Sequence, residues 1–256
     1  MVKKVIYIAC HKFYKMPKNK LYQPIWVGYN LKKDSLNLPK GWIGDNTGKN
    51  ISYKNPYFNE LTALYWIWKN SSADIIGLVH YRRYFSLDGK KGFDHILTNK
   101  QLEQLISKSP IIVPTKRKYY IETNYSHYIH AHHPTPINKI KTLMTPKYQK
   151  SYDKIMGKTS QHLFNMMIMT KKELDKYASW MFKLLFKLEK KIDISNYNNY
   201  ERRLFGFIGE RLLDIYLDAN QKKFIEVPFV FEEKQNWIKK GGSFLLRKFT
   251  GGKNGK

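Results

Sequence analysis

Features that define several common protein classes are missing from this 256-residue chain. Cys10 is its one cysteine, so no disulfide can form within the chain, which fits a reducing compartment. No apolar run approaches the roughly 20 residues that a membrane-spanning helix needs. The six apolar residues from Val5 to Cys10 are too few for the core of a signal peptide. We therefore expect a cytoplasmic protein that is soluble or only peripheral to a membrane.

Motifs of the commonest nucleotide-handling and hydrolytic enzymes are absent as well. The sequence has no P-loop GxxxxGK[ST], no GxGxxG, no GxSxG and no HExxH. It also has no Asp-x-Asp, the pair of carboxylates that commonly holds a divalent metal on the diphosphate of a nucleotide-sugar. We therefore expect no metal ion and no other cofactor.

Acidic residues are scarce, and the positive charge is mostly lysine. The chain has 46 Lys and Arg against 20 Asp and Glu, a net charge of +26, which points to a polyanionic partner. The candidates are nucleic acid, an anionic membrane surface and a phosphate-bearing substrate. Only seven of the 46 are arginines, and four of these form the doublets Arg82-Arg83 and Arg202-Arg203.

Apolar runs and helical stripes alternate along the first half and predict an α/β fold. Val5–Cys10, Ile75–His80 and Ile111–Val113 are typical of buried strands. One helix is predicted from Asn55 to about Lys69, with its stripe formed by Leu61, Leu64, Tyr65 and Trp68. This alternation predicts a mixed sheet flanked by helices, with much parallel pairing.

The second half is predicted to be more helical, after a long loop over residues 115–136. Thr170 and Glu173 are spaced as a capping box for a helix that runs to about Lys190. Another helix is predicted over residues 200–217, with Leu204, Ile208, Arg211 and Leu212 on one face. We expect a single domain over residues 1–235, followed by a basic, amphipathic tail over residues 236–256.

The most informative stretch is the end of the strand Ile75–His80, which changes abruptly into Tyr81-Arg82-Arg83. Ligands of open α/β sheets bind beyond the carboxyl ends of strands, and a guanidinium suits phosphate or carboxylate. Fixed cations can replace a metal ion in stabilising a leaving diphosphate. Because successive residues of a strand point to opposite faces, we expect one arginine to grip phosphate and the other to be structural.

Six sequence blocks, spread over most of the chain, resemble one bacterial family. They are His11-Lys12, Asp45–Ser52, Asn55–Asn70 (NPYFNELTALYWIWKN), Gly77–Phe85 (GLVHYRRYF), Phe164–Met169 with the helix after it, and Tyr200–Leu213 (YERRLFGFIGERLL). The family contains glycosyltransferases of capsular polysaccharide and exopolysaccharide synthesis and was long classified as a domain of unknown function.

This resemblance implies a GT-A-like, Rossmann-related fold and a sugar-nucleotide donor. Family members with an assigned activity are galactofuranosyltransferases that use UDP-galactofuranose with inversion. The expected activity is therefore transfer of a sugar from a UDP-sugar to a polyprenyl-diphosphate-linked oligosaccharide at the inner face of the plasma membrane. No specific nucleic acid is expected as a partner.

The resemblance also places residues around the donor. The donor-binding residues that it implies are His11, Lys12, Asp45, Asn50, Ser52, His80, Tyr81, Arg82, Arg83 and Arg203. Inversion needs one general base that deprotonates the acceptor hydroxyl. The candidates are Glu210, which we favour, Glu201, His80 and a histidine of the 127–133 segment, where His127 and His130 are expected on the acceptor side.

The tail combines apolar and cationic side chains and is predicted to contact an anionic membrane. Its expected membrane-facing residues are Trp237, Phe244, Leu245, Arg247 and Lys248.

Two other functions stay open: a nucleic-acid-binding module without catalysis, supported by the charge and the aromatics, and a sugar-nucleotide-binding protein without turnover. Basic residues interleaved with exposed aromatics on one surface would favour the first.

Overall fold

The computed structural model describes residues 2–32 and 34–232, and its centre is a nine-stranded mixed sheet. Seven strands follow the order β10-β6-β9-β4-β1-β2-β3, and β5 joins β4 to β11. A two-stranded sheet, β7 with β8, lies apart. The strands are β1 Lys4–Cys10, β2 Tyr22–Trp26, β3 Ile43–Gly44, β4 Ile75–His80, β5 Arg83–Phe85, β6 Ile111–Pro114, β7 Arg117–Lys118, β8 Ser160–Gln161, β9 Met167–Thr170, β10 Ile225–Val227 and β11 Phe229–Phe231.

Parallel pairing brings the carboxyl ends of β1 and β4 together. β1 runs parallel to β2 and β4, in a register that pairs Ala9 with His80. β9 is antiparallel to both β4 and β6 and so makes the sheet mixed, as predicted. The segments that follow Cys10 and His80 therefore leave the sheet at the same edge, next to each other.

Within residues 2–32 and 34–232, eight α-helices flank the sheet, and the two longest, α7 and α8 with 19 and 16 residues, lie in the second half of the chain, which confirms the predicted helical bias. Their bounds are α1 Asn55–Phe58, α2 Leu61–Asn70, α3 Asn99–Ile106, α4 Asn124–Ala131, α5 Pro134–Thr142, α6 Pro146–Met156, α7 Lys171–Glu189 and α8 Leu204–Ala219.

Two apolar clusters, one for each face of the sheet, form the core. Alternate residues of β1 divide between them: Tyr7 and Ala9 join the larger cluster, whereas Ile6 and Ile8 join the smaller. The larger cluster also contains the packed helices α2, α7 and α8. Burial of β1 on both faces explains why its sequence is a continuous apolar run.

The single helix predicted over residues 55–69 is wrong, because it is broken at Asn59. Asn59 has a positive φ of 49°, which ends α1 before α2 begins at Leu61. Asparagine tolerates this backbone region better than most residues do. The predicted stripe nevertheless packs as core: Leu61 and Leu64 are buried, and Trp68 stacks on Phe182 with centroids 5.7 Å apart.

The loop predicted over residues 115–136 is also wrong, since it contains β7, α4 and the start of α5. Thr123 and Ser126 form a capping box that starts α4, and Pro134 occupies the first turn of α5. The predicted capping box at Thr170 does not form, although α7 does begin at Lys171. Its acidic member, Glu173, instead pairs with Lys222 at 2.6 Å.

The helix predicted over residues 200–217 begins as a 3₁₀ turn, Glu201–Arg203, and continues as α8. All four residues of its predicted face are buried, namely Leu204, Ile208, Arg211 and Leu212. No helix within residues 2–32 and 34–232 is both long enough and apolar enough to cross a bilayer. The predicted membrane residues of the tail, from Trp237 to Lys248, lie outside the described residues.

Candidate active site

β4 ends at His80, and a tight turn through Tyr81 and Arg82 returns the chain into β5. His80 pairs with Arg83 across this turn. Tyr81 is buried and anchors the turn: its ring stacks on Tyr14 with centroids 4.1 Å apart and meets the edge of His11 at 5.1 Å. The predicted change from apolar strand to cationic end is therefore a rigid turn at the carboxyl edge of the sheet.

Two residues with positive φ, Phe164 (73°) and Asn165 (51°), face that turn just before β9. His80 Nε2 donates to the carbonyl oxygen of Phe164 at 2.5 Å, and the Phe164 N–H donates to Glu210 Oε1 at 3.2 Å. Asn165 Nδ2 donates to Glu60 Oε1 at 2.6 Å. Positive φ is unusual for a bulky residue. Residues with such a backbone conformation occur most often at functional sites.

Two carboxyl groups, Glu60 and Glu210, meet at this point from different helices. Glu60 precedes α2, and Glu210 lies on α8, where Arg211 Nη1 donates to its Oε2 at 2.7 Å. Burial raises the pKa of both carboxyls, and the charge of Glu60 raises that of Glu210 further, against the opposing effect of Arg211. The Glu210 side chain remains 20% exposed, so it is open to a substrate.

His80 is a neutral imidazole beside these acids. Burial, followed by the charge of Arg83, lowers its pKa to about 3. Because Nε2 carries the proton that binds the Phe164 carbonyl, Nδ1 is the unprotonated nitrogen of the neutral ring. Titratable groups whose environments drive their pKa values apart are typical of acid–base sites.

Arg83 packs as a structural member of this centre. Its guanidinium lies over the rings of Phe164, at 4.1 Å, and Phe231, at 5.0 Å. Burial and the neighbouring charge of Arg82 lower its pKa, which the charges of Glu210 and Glu60 oppose. Arg83 therefore supplies positive charge to the two carboxyl groups.

The other predicted cations collect on a second side of the centre. Burial lowers the pKa of His11, and the positive charges of Lys12, Arg82 and Arg203 lower it further. His11 and Arg82 both lie against the Tyr81 ring, at 5.1 and 4.8 Å from its centroid. Arg203 is held in place by Asn59, to whose Oδ1 its Nε donates at 2.9 Å. Asn59 Nδ2 donates in return to the Arg203 carbonyl at 3.2 Å. Lys12, Arg82 and Arg203, grouped around the neutral imidazole of His11, form one anion-attracting cationic cluster.

Asp45, Asn50 and Ser52 form a supporting network instead of converging on that cluster. Asp45 is fully buried and accepts hydrogen bonds from the N–H groups of Gly28 (2.8 Å) and Tyr29 (3.0 Å) and from the hydroxyls of Thr62 (2.6 Å) and Ser52. Asn50 Nδ2 donates to the carbonyls of its own turn. Direct contact of these three with a donor stays a prediction.

His127 and His130 lie one turn apart on α4 and share one buried acid. Their Nδ1 atoms donate to the two oxygens of Glu122, at 2.9 and 2.7 Å. Burial opposes ionisation of Glu122, but these bonds outweigh it and hold its pKa below the ordinary value. Burial lowers the pKa of His127, and the charge of Arg211 contributes, so α4 lies beside the Glu210–Arg211 pair. Their role towards an acceptor stays a prediction.

Glu201 is placed differently from Glu210. It accepts a hydrogen bond from the N–H of Asn198 at 2.9 Å and so closes the turn before α8.

Sequence reasoning missed Glu60, Phe164 and Asn165 as members of the centre. A lone acid beside a polar residue, within the apolar block NELTALYWIW, was the available signal for Glu60.

Within the part of the chain that the structure describes, no three His, Cys, Asp or Glu side chains converge as metal ligands would. The metal independence inferred from the sequence stays a prediction.

Comparisons with known proteins agree with the fold. The chain is similar to the apo structure of WbbM, a bifunctional glycosyltransferase, with a TM-score of 0.81 and 29% sequence identity over 91% of this chain and 46% of that one. The chain thus spans about half the length of that protein, and the predicted GT-A-like mixed α/β fold is confirmed. No curated protein matches. Residues 5–222 match the family described as "Domain of unknown function (DUF4422)", and the chain belongs to that family.

Proposed function

We propose that this protein is an inverting, metal-independent glycosyltransferase that uses a UDP-sugar. The observation that carries the proposal is that an acid–base centre, Glu60, Glu210 and His80, lies next to the cationic cluster. Arg82 belongs to the turn that His80 begins, and Arg203 is bound by Asn59, the neighbour of Glu60 in the chain. Both lie at the carboxyl ends of β1 and β4, where open α/β sheets bind their ligands. Similarity to a bifunctional glycosyltransferase supports the same class of reaction.

In this reaction the acceptor hydroxyl oxygen attacks the anomeric carbon of the donor. The bond from that carbon to the diphosphate oxygen breaks, and UDP leaves with the electron pair. The hydroxyl proton passes to Glu210, the proposed general base. Arg211 and the Phe164 N–H each hold one oxygen of Glu210, which orients the carboxylate and leaves lone pairs for the proton.

The leaving diphosphate gains negative charge as that bond breaks. Lys12, Arg82 and Arg203 are fixed cations that can neutralise this charge without reorganisation. In this proposal His80 and Arg83 face the diphosphate and the sugar of the donor, and both lie next to the two acids. Glu60, which accepts a hydrogen bond from Asn165, supplies negative charge that offsets part of the positive charge of Arg83.

The finer assignment follows the family resemblance of the sequence blocks. The proposed donor is UDP-galactofuranose, and the proposed acceptor is a polyprenyl-diphosphate-linked oligosaccharide in capsular polysaccharide or exopolysaccharide synthesis. Such an acceptor places the protein in the cytoplasm, peripheral to the inner face of the plasma membrane. Turnover measured over a panel of UDP-sugars tests the donor directly.

The decisive experiment replaces Glu210 by Gln, which keeps the shape and removes the base. We expect product formation to fall about 10²- to 10⁴-fold, the usual contribution of general acid–base catalysis, with UDP affinity unchanged. Glu201→Gln is the matched control and should keep most of the activity, because Glu201 only closes a turn. Product formation is followed by mass spectrometry and UDP affinity by calorimetry. Full activity in Glu210→Gln, or equal loss of UDP binding, would contradict the assignment.

A further inference from the structure

An exposed apolar tip, formed by Tyr120 and Ile121, projects between β7 and α4. The two residues are 83% and 71% exposed, the largest exposures among the big apolar side chains of the described chain. The tip is anchored from behind: the N–H of Tyr119 donates to the Thr159 carbonyl at 2.8 Å, and Gln161 Nε2 donates to the Tyr119 hydroxyl at 2.9 Å. Two adjacent exposed apolar residues on a fixed base are a candidate contact surface.

A lysine-ringed cavity of about 560 Å³ opens between α6, α8 and the start of β10. Its floor is apolar and includes Ile155, Leu217 and Phe224. The lysines around it are Lys116, Lys147, Lys150, Lys154, Lys158 and Lys222. Three of these lysines are paired: Lys116 with Glu226 at 3.4 Å, Lys154 with Asp218 at 2.5 Å and Lys222 with Glu173 at 2.6 Å. Among the described residues, Lys147, Lys150 and Lys158 form no ion pair, so the ring keeps three unpaired positive charges.

Short backbone contacts join the tip to the lysine-ringed cavity, and from them we infer that the two belong to one face. Lys158 lines the cavity, and its carbonyl accepts the N–H of Asn124, just beyond the tip, at 2.7 Å. Ser160 also lines the cavity and pairs with Lys118 in the two-stranded sheet that supports the tip. Apolar wedge and cationic ring are thus joined through a few residues of rigid backbone.

We propose that this face docks the protein on an anionic lipid bilayer. Tyr120 and Ile121 enter the boundary between headgroups and acyl chains, and the lysines of the ring meet phosphate headgroups. The tip offers one ring and one aliphatic side chain, which suit an acyl boundary better than the row of stacked rings that single-stranded nucleic acid uses. None of these residues belongs to the tail over residues 236–256, which the sequence predicts to bind membranes.

Docking here has a consequence that rests on the proposed function. Tyr119, at the base of the tip, stacks on His127 of α4 with centroids 4.0 Å apart, and Arg211, which pairs with Glu210, lies over the Tyr128 ring of the same helix at 5.3 Å. A bilayer held at the tip therefore lies beside the candidate catalytic centre. A lipid-linked acceptor would reach Glu210 without leaving the membrane.

The test measures how tightly the full chain binds lipid vesicles, in an assay that does not depend on sugar transfer. Vesicles of phosphatidylglycerol and phosphatidylcholine are compared with phosphatidylcholine alone at low salt. The variant Tyr120→Ser/Ile121→Ser should lower affinity for the anionic vesicles about fivefold or more. The variant Lys150→Glu/Lys158→Glu should lower it at least about tenfold, since each basic residue near such a surface contributes about 1 kcal/mol, or about fivefold.

Matched substitutions elsewhere separate this surface from general charge and from folding. Lys172→Glu/Lys183→Glu makes the same charge change at exposed positions of α7, and Leu31→Ser removes an exposed apolar side chain; both should change affinity less than twofold. Because Cys10 is buried, an environment-sensitive fluorophore on Ile121→Cys reports the tip alone and should gain intensity on anionic vesicles.

Three results would overturn the proposal. They are equal binding of the wild-type protein to neutral and anionic vesicles, wild-type affinity in the tip variant, and no change in fluorescence at position 121. Transfer to a water-soluble acceptor should persist in the tip variant. If Glu210→Gln loses transfer to that acceptor but still binds vesicles, the proposed function is supported independently of the docking surface.

Discussion

At the residue scale, the two arginines of the doublet Arg82-Arg83 lie in different surroundings; that one grips phosphate while the other is structural stays a prediction. Arg83 lies between two phenylalanine rings and near both acids of the centre. Arg82 lies with His11, Lys12 and Arg203, so it is the member of the doublet that can meet a diphosphate. Arg83 is thus placed for packing, and Arg82 is placed where an anion could bind.

This division predicts that Arg82→Ala weakens binding of the donor. A hydrogen bond to a charged group contributes about 1.5–3 kcal/mol, so UDP affinity should fall roughly 10- to 100-fold, with the free energy of unfolding little changed. Arg202→Ala is the control from the other doublet: its side chain binds the Ser195 carbonyl at 2.9 Å. Calorimetric titration with UDP measures the effect, and equal affinities of both variants would refute the division.

Residue chemistry also decides how much of the site the sequence could predict. Arg82 was recognisable because a cation stands out at the end of an apolar strand, whereas His11 and Arg203 followed from the family resemblance and Glu210 from the need for a general base. Glu60 and Asn165 were not, because their contact joins positions 105 residues apart and depends on two positive-φ residues. A pattern of residue types does not encode such a backbone turn.

At the element scale, the helices predicted from the sequence are wrong where a local sequence signal competes with tertiary contacts. The 55–69 helix was predicted as one piece because its apolar stripe is continuous, whereas Asn59 turns the chain to reach Arg203. α4 was missed because its NYSHYIHA sequence lacks strong helix formers; its capping box and packing on Arg211 stabilise it instead. Strands β1, β4 and β6 were predictable because they are buried on both faces.

The turn over residues 44–52 depends on one buried carboxylate, which predicts a loss of stability in Asp45→Ala. The substitution leaves the N–H groups of Gly28 and Tyr29 without their acceptor, at a cost of about 3 kcal/mol in the free energy of unfolding. Asp94→Ala, at an exposed position, should change stability little. Urea denaturation measures both, and equal midpoints would show that Asp45 does not hold the turn.

At the scale of the whole molecule, the sheet assembles the cationic cluster from distant parts of the chain. His11 and Lys12 follow β1, Arg82 follows β4, and Arg203 precedes α8. Parallel pairing of β1 with β4 is what brings the first two together, and Asn59 aligns the third. Part of the net charge of +26 is therefore concentrated in the cationic cluster, and another part lies around the cavity beside the exposed tip.

This assembly leads to the prediction that sugar transfer does not need a divalent metal. The sequence lacks Asp-x-Asp, and the position beyond β4 carries cations that can stabilise a leaving diphosphate directly. Turnover should therefore stay within about twofold after dialysis against excess EDTA, and added Mn²⁺ or Mg²⁺ should not raise it. A metal-dependent glycosyltransferase assayed in the same buffers is the control. Activity that EDTA abolishes and Mn²⁺ restores would mean that Lys12, Arg82 and Arg203 do not replace the metal, and that carboxylates such as Glu60 and Glu210 act as ligands instead.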